Sequence, residues 1–566
     1  MSDLRRHIGT GLLAFACIGA ILFWFHDQFW WPVDEGVYAY VAQRALAGDV
    51  LHRDLIDLHG GYGNLVNILA FRTFGEDLLS LRYPLVGITL LQCAIAYVLL
   101  AGTGRTVAAT GAVAVAAFSF IQFPNPSANW HALGLFFLLC LCLETLRDFP
   151  IRRVFLAGLI LGLCFFTRQL SGVFLGLGLV GVLLSETADQ KQGSRVPGLV
   201  FGGTAFAGLL LYLVSKQQVF GLLWAGIWPL ALLVIVTLRS RMTWGFAGRT
   251  AGLVMAGFLL AGLPLACVAW YHGALTYWVT DIFFAALIIN GQAFIANASF
   301  ASILNLGWQA VTGGAGLVAV LSGAAWIALV ASVPILGALT LSQVLRTKIA
   351  SVPAVLAVFW SVSALHYQIP IYLIFCLPAV LFAILVVRPV PAMVAAMFVL
   401  SVYMILFQAG QPLERGIVGT VLGVRGPPNQ PVDLPSVSLR LQPADAAVYK
   451  DTIAAIDKVA LPDEPLMTLP MDPELNFMTG RKSPVRYYGT PLGLTTQGDI
   501  DTTLAALDAA APLFVVHRRQ DKYLTPLTAL LLEQVRDRSD PPVAVGPFDL
   551  YRYLGSAQAP MSSGKQ

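Results

Sequence analysis

Long apolar stretches recur along the first three-quarters of the chain, and polar residues are largely confined to the gaps between them. A helix that crosses a bilayer needs about 20 predominantly apolar residues. Stretches of this kind read as spans at 8–30, 84–101, 106–121, 129–146, 153–167, 170–185, 198–214, 220–237, 250–270, 313–341, 350–365, 370–387 and 390–408. The pattern predicts a polytopic α-helical membrane protein with about thirteen spans. The first run follows Arg5 and Arg6 but is too long for a signal-peptide core and lacks a small-residue cleavage site, so a retained first helix is expected.

Beyond residue 408 the periodicity changes. The Pro-rich stretch GPPNQPVDLP (426–435) reads as a linker. It divides a transmembrane part (1–408, with the linker spanning 409–435) from a small soluble α/β domain at 436–566. There, helical stretches (443–458, 501–510, 524–536) alternate with short apolar strands (465–469, 512–516, 542–546). Two segments between spans, 31–83 and 271–312, are too long for turns. In the first, Val37, Tyr40, Val41 and Arg44 follow a Pro-Val-Asp-Glu start at helical spacing, predicting a short interfacial helix, with a second at 64–74.

Charge adds an orientation. Only 12% of the 566 residues are charged against 57% hydrophobic, about half the charged fraction of a soluble domain. If the spans alternate, the basic residues of 147–153, 238–249 and 345–348, with Arg5, Arg6 and Arg388, fall on one side. The positive-inside rule makes that side cytoplasmic, and an odd number of crossings puts the tail outside. The net charge of +4 is too small to point to nucleic acid. All seven cysteines lie in apolar segments, so the tail has no disulfide framework.

Candidate chemistry gathers in the first outer loop, which carries Asp34, Glu35, Arg53, Asp54, Asp57 and His59. Neighbours on a helix point about 100° apart, so Asp34 and Glu35 cannot both face one substrate atom. One faces a site while the other caps the helix or meets solvent. Asp34 reads equally as a helix N-cap, His59 as an exposed turn residue, and Asp54 and Asp57 as solvated carboxylates. No Glu-x-x-His or His-x-x-x-His pair demands a metal, although the outer-loop carboxylates and histidines are compatible with a divalent cation. Arg168, in FFTRQLSG, lies between two apolar spans. A charge at the bilayer centre costs about 2.5–3.5 kcal/mol, so Arg168 either snorkels to the interface or meets an anion such as a phosphate. His131 and His366 sit at outer helix ends beside Trp and Tyr, as interfacial residues do. Asp281, among aromatics in YWVTDIFF, either lines a cavity or marks an interface.

Four stretches carry a resemblance: DEGVYAY (34–40), DLHGGYGN (57–64), GLCFFTRQLSG (162–172) and DPELNFMTGRKSPVRY (472–487). With thirteen spans and an outer C-terminal domain, the chain resembles the GT-C glycosyltransferases that use polyprenyl-phosphate sugars, in the group of protein O-mannosyltransferases and bacterial aminoarabinose transferases. It departs from the former in having His59-Gly60-Gly61 where they usually carry His-Pro-Pro, and from the latter in having Arg168 where a lysine is typical. The resemblance implies an inverting transfer of a sugar from a lipid-linked polyprenyl-phosphate donor to a glycan, lipid or protein acceptor. It makes Asp34 the base, with Glu35 as its alternate, and Arg168 the leading phosphate partner. Arg53, His59, Asp57, Tyr38, Asp281 and His366 become further donor or substrate contacts. It also implies a bacterial inner membrane, with the N-terminus cytoplasmic and the C-terminal domain periplasmic. Two other readings stay open. A transporter or flippase would place ionisable groups near helix centres, and an assembly protein would use its helices only as anchors.

Overall fold

The computed structural model describes residues 2–188, 193–216, 218–285, 299–314, 316–347, 351–411 and 416–556. The chain divides into two compact units. The first comprises Met1–His26, Leu85–Leu265 and Asn297–Gly426, and the second Asp27–Pro84, Ala266–Ala296 and Pro427–Gln566.

The first unit is built of helices that are apolar all round, as expected where lipid replaces water. Among the described residues, twelve helices are long and apolar enough to cross a membrane, from Ile8–Phe25 to Pro391–Gln408. The expected span at 350–365 is present as a shorter apolar helix, Val352–Leu365. It consists of ten α-helical residues continued by a four-residue 3-10 turn. Small residues bring spans into contact. A Cβ on Gly158 would lie 2.2 Å from the Val254 carbonyl oxygen, and one on Gly162 would lie 2.7 Å from that of Phe258. The spacing Gly158-x-x-x-Gly162 therefore lets Pro150–Thr167 pack backbone to backbone on Trp244–Tyr271.

The second unit gathers the first long inter-span segment, the opening part of the second and the tail, while the helix Phe300–Thr312 belongs to the first unit. Helix α1 (Pro32–Leu46) and helix α2 (Tyr62–Phe74) come from the first segment. From the second come the short helix Leu275–Thr280 and the turn that begins at Asp281; residues 286–298 fall outside the described residues. The tail adds α3 (Pro443–Val459), β1 (Leu466–Leu469), α4 (Pro473–Thr479), α5 (Gln497–Ala510), β2 (Leu513–Arg518), α6 (Pro526–Arg536), β3 (Val543–Val545) and β4 (Phe548–Tyr553). The four strands form one mixed sheet in the order β1-β2-β4-β3. β1 runs parallel to β2, with Leu466 opposite Phe514, and β4 is antiparallel to both β2 and β3. Side chains alternate between the faces of a strand. Leu513, Val515, Tyr551 and Tyr553 therefore join α5 and α6 in one apolar cluster. Phe514, Val516, Phe548 and Leu550 turn the other way, into a cluster with α3, α4, α1 and α2.

On that second face α1 and α4 touch almost directly. A Cβ on Gly36 would lie 2.5 Å from the Glu474 amide nitrogen and 2.7 Å from its Cα, so only glycine fits. Phe71 of α2 stacks on Phe477 of α4 with ring centroids 5.8 Å apart. Glu474 is held from the far side, where Tyr449 donates to it at 2.9 Å and Arg518 at 3.3 Å. Arg518 also pairs with Asp472. Burial lifts both carboxyls, Asp472 and Glu474, above the usual carboxylate range against the pull of Arg518.

The start of α1 is fixed by a second buried network. Trp31 is the extended N-cap and Pro32 occupies the first turn. Glu35 Oε1 accepts from the Trp31 amide at 2.9 Å. Arg82 Nη2 meets Glu35 Oε1 at 2.7 Å and Oε2 at 2.9 Å, and also donates to the Phe29 carbonyl at 2.6 Å. Both charged side chains are fully buried. Breaking a buried pair from one side leaves an uncompensated charge, a loss of about 3–5 kcal/mol, whereas removing both partners is far milder. Arg82→Met should therefore lower the thermal midpoint of the purified protein sharply, and the double variant Glu35→Gln/Arg82→Met should recover much of the loss. A double variant as unstable as Arg82→Met alone would contradict this account.

Candidate functional site: a carboxylate cluster and a buried arginine

The first turn of α1 separates its two carboxylates. Glu35 is buried against Arg82, and burial raises its carboxyl above the usual range with Arg82 opposing the shift. Asp34 is half-buried within the first turn, whose N-cap is Trp31. Tyr38, also half-buried, follows at i+4 on the same face. The His59 ring lies 6.2 Å from that of Tyr38.

Asp57 anchors the next layer and is almost fully buried. Its Oδ2 accepts from Asn64 at 2.5 Å, and its Oδ1 accepts from the His59 amide at 3.1 Å and lies 3.4 Å from His59 Nδ1. Burial alone would raise the Asp57 carboxyl, but these bonds and the charges of His59 and His52 hold it below the ordinary value. Asp57 is thus an ionised residue that shapes the loop.

Asp281 ties three segments together. The Arg486 Nη2 donates to its two oxygens at 2.7 and 2.6 Å, and His52 Nδ1 lies 3.1 Å from Oδ2. The Asp57 amide is 3.4 Å from the same oxygen. Arg486 also donates through Nε to the His52 carbonyl at 2.7 Å and stacks over Tyr277 at 5.2 Å. Its own carbonyl accepts from the Ile56 amide at 2.9 Å. Trp278 closes the cluster by donating to the Gly60 carbonyl at 3.0 Å. Arg53 stands apart on the exposed edge. Its guanidinium is taken up by Asp54 at 2.8 Å, and those hydrogen bonds lower the Asp54 carboxyl to about 2. Among the described residues, no group of three or more His, Cys, Asp or Glu side chains is arranged to hold a metal ion.

Arg168 belongs to the other unit. It interrupts the helices Pro150–Thr167 and Gln169–Glu186 in an extended conformation, φ −152° and ψ 107°. The break is satisfied across itself, the Arg168 amide bonding to Cys164 at 2.7 Å and its carbonyl to Gly172 at 3.1 Å. The side chain is 8% exposed, donates to Ser171 Oγ at 2.8 Å and lies 5.7 Å over the Tyr372 ring. Among the described residues no carboxylate pairs with it. His366, half-buried, has its ring 5.7 Å from that of Tyr372 and stands within electrostatic range of Arg168 and Lys216. His131 is half-buried in the span Ala128–Thr145.

No family profile matches the chain, and no curated protein matches its sequence. Solved structures do. The chain is similar to the crystal structure of ArnT from Cupriavidus metallidurans bound to undecaprenyl phosphate, with a TM-score of 0.54 and 13% identity, covering 98% of this chain and 99% of that one. ArnT is an aminoarabinose transferase of GT-C architecture. The chain has the GT-C fold. The apo structure of the same ArnT is matched at a TM-score of 0.40 and 14% identity, covering 99% of both chains.

Within this GT-C fold, sequence reasoning singled out Asp34, Tyr38, Asp57, His59 and Asp281, and one unit holds them all. It overlooked the partners that position them: Arg82, His52, Asn64 and Arg486. Arg486 was within reach, as the one arginine in the PVRYY stretch that closes the fourth motif. Hydrogen bonds to a charged group contribute about 1.5–3 kcal/mol each, so Asp281→Asn should loosen this junction. The expected result is faster amide hydrogen exchange over 52–57 and 275–281 with exchange in β2 unchanged. Protection at wild-type levels in both segments would count against the junction.

Proposed function

We propose that this protein is an inverting glycosyltransferase that moves a sugar from a polyprenyl-phosphate donor to an acceptor hydroxyl at the outer face of a membrane, with its N-terminus cytoplasmic and its C-terminal domain on the far side. One observation carries the reading: Arg168 is a buried cation with a hydroxyl and an aromatic face as neighbours and, among the described residues, no carboxylate partner. Such a group is costly to bury unless an anion meets it, and a phosphate suits guanidinium geometry. The GT-C fold and the undecaprenyl phosphate bound by the similar ArnT structure support the same donor class.

The chemistry then needs little else. A sugar on a lipid phosphate already has a good leaving group, so no strong general acid is required. Asp34 takes the proton of the acceptor hydroxyl, and the acceptor oxygen attacks the anomeric carbon. The bond from that carbon to the phosphate oxygen breaks on the opposite face, which inverts the centre, and its electron pair leaves with the phosphate. Arg168 holds the developing charge. Glu35, neutralised against Arg82, serves the helix and not the transfer.

The test uses the full chain in nanodiscs with a panel of undecaprenyl-phosphate sugars and cell-envelope extract as acceptor, reading release of undecaprenyl phosphate. Asp34→Asn should lower turnover by about 10²–10⁴-fold with an unchanged thermal midpoint, and Arg168→Gln should weaken binding of undecaprenyl phosphate. Unchanged turnover in Asp34→Asn would remove its role as base. No turnover by the wild type with any donor would favour transport of a lipid-linked solute.

A further inference from the structure

Tyr488 of the C-terminal segment was not among the candidate residues, yet the chain delivers it to them. Arg486 is pinned to residues 52–57 through its carbonyl and its Nε, and to Asp281 through Nη2. Two residues later, Tyr488 packs into the apolar cluster that also contains Ile56, Leu475 and Tyr40, with Tyr38 and Leu58 at its border. It is 7% exposed. Four acidic groups act on its phenol: Asp57, then Tyr38, Asp281 and Asp34. Burial and these neighbours hold the phenol well above its ordinary value, so it is a permanent O–H donor at any working pH. Its hydroxyl nevertheless makes no hydrogen bond to any described residue.

A phenol that is nine-tenths buried usually has a partner. Asp57 is engaged with Asn64 and His59, and Asp281 with Arg486 and His52. A hydroxyl donor set among carboxylate acceptors is what a sugar ring requires, since each sugar hydroxyl both donates and accepts. We propose that Tyr488 is a substrate-contacting residue, donating a hydrogen bond to a hydroxyl oxygen of the transferred sugar, so that the C-terminal domain takes part in reading the donor. This deepens the transferase reading and rests on it.

Binding separates the two claims without needing turnover. The probes are undecaprenyl phosphate alone and its mannose, glucose and aminoarabinose esters, titrated into the full chain in nanodiscs. Tyr488→Phe keeps the ring and removes only the hydroxyl. It should weaken the sugar-bearing lipid that the wild type prefers by roughly three- to tenfold, the worth of one neutral hydrogen bond, and leave undecaprenyl phosphate unaffected. A change of equal size for both lipids would mean a structural role, and no change for either would mean no contact; each overturns the inference while leaving the transferase intact. A wild type that binds none of the sugar-bearing lipids overturns both. Tyr488→Leu, which removes the ring as well, should weaken the same sugar-bearing lipid at least as far.

Discussion

Position 36 has no room for a side chain, and the arrangement of the second unit depends on that. The approach of Gly36 to the Glu474 backbone brings α1 against α4 at backbone distance. Both ends of the contact are immobilised by buried charge, Glu35 on Arg82 and Glu474 within the Tyr449–Arg518 network. Such networks contribute little net stability, because desolvation offsets most of the attraction, but they restrict the geometry. With α1 unable to rotate, Glu35 faces inward and Asp34, one residue earlier, sits on the face it shares with Tyr38. The division of labour between two adjacent carboxylates follows from packing, not from any chemical difference between Asp and Glu.

A second consequence is that residues 52–57 depend on partners from other parts of the chain. Residues 52–57 have no regular helix or strand to satisfy them. Their polar groups are met by Arg486, Asp281 and Asn64, which come from the tail, from the other long segment and from α2. Buried polar groups must find partners, and here Arg486 lies 434 residues and Asp281 229 residues from the His52 they hold, with only Asn64 close in sequence. His52, at φ +70°, occupies the left-handed region that this wrapping demands.

This explains how much could be read in advance. The spans were legible because a bilayer imposes a length and a composition on each helix separately. The helices at Pro32–Leu46 and Tyr62–Phe74 were legible for a similar reason, from local spacing and a Pro-Val-Asp-Glu start. β4 was missed because FDLYRY is buried on both faces, Phe548 and Leu550 in one cluster and Tyr551 and Tyr553 in the other, and so does not alternate. It follows β3 after only a Gly-Pro turn, so the apolar run 542–546 reads as the last strand. Helix α4 was missed because its seven residues are buried nearly all round and so carry no amphipathic period. Arg82 was invisible for a deeper reason. A lone arginine before an apolar span reads as an interfacial charge, and only the fold reveals Glu35 as its counter-ion, forty-seven residues away.

Arg168 shows the opposite case, a residue whose oddity is local and therefore detectable. Its backbone is fully bonded across the helix break, so the break itself leaves nothing unsatisfied. The side chain is different. A guanidinium carries five N–H donors; Ser171 accepts one, and the Tyr372 face offers a diffuse cation–π contact. Lys216, above Tyr212 and within electrostatic range of His366, adds to the positive field instead of cancelling it. A structural arginine is normally surrounded by acceptors, as Arg82 and Arg486 are here. An arginine beside a hydroxyl and an aromatic ring, with no carboxylate partner among the described residues, stabilises whatever negative charge reaches it.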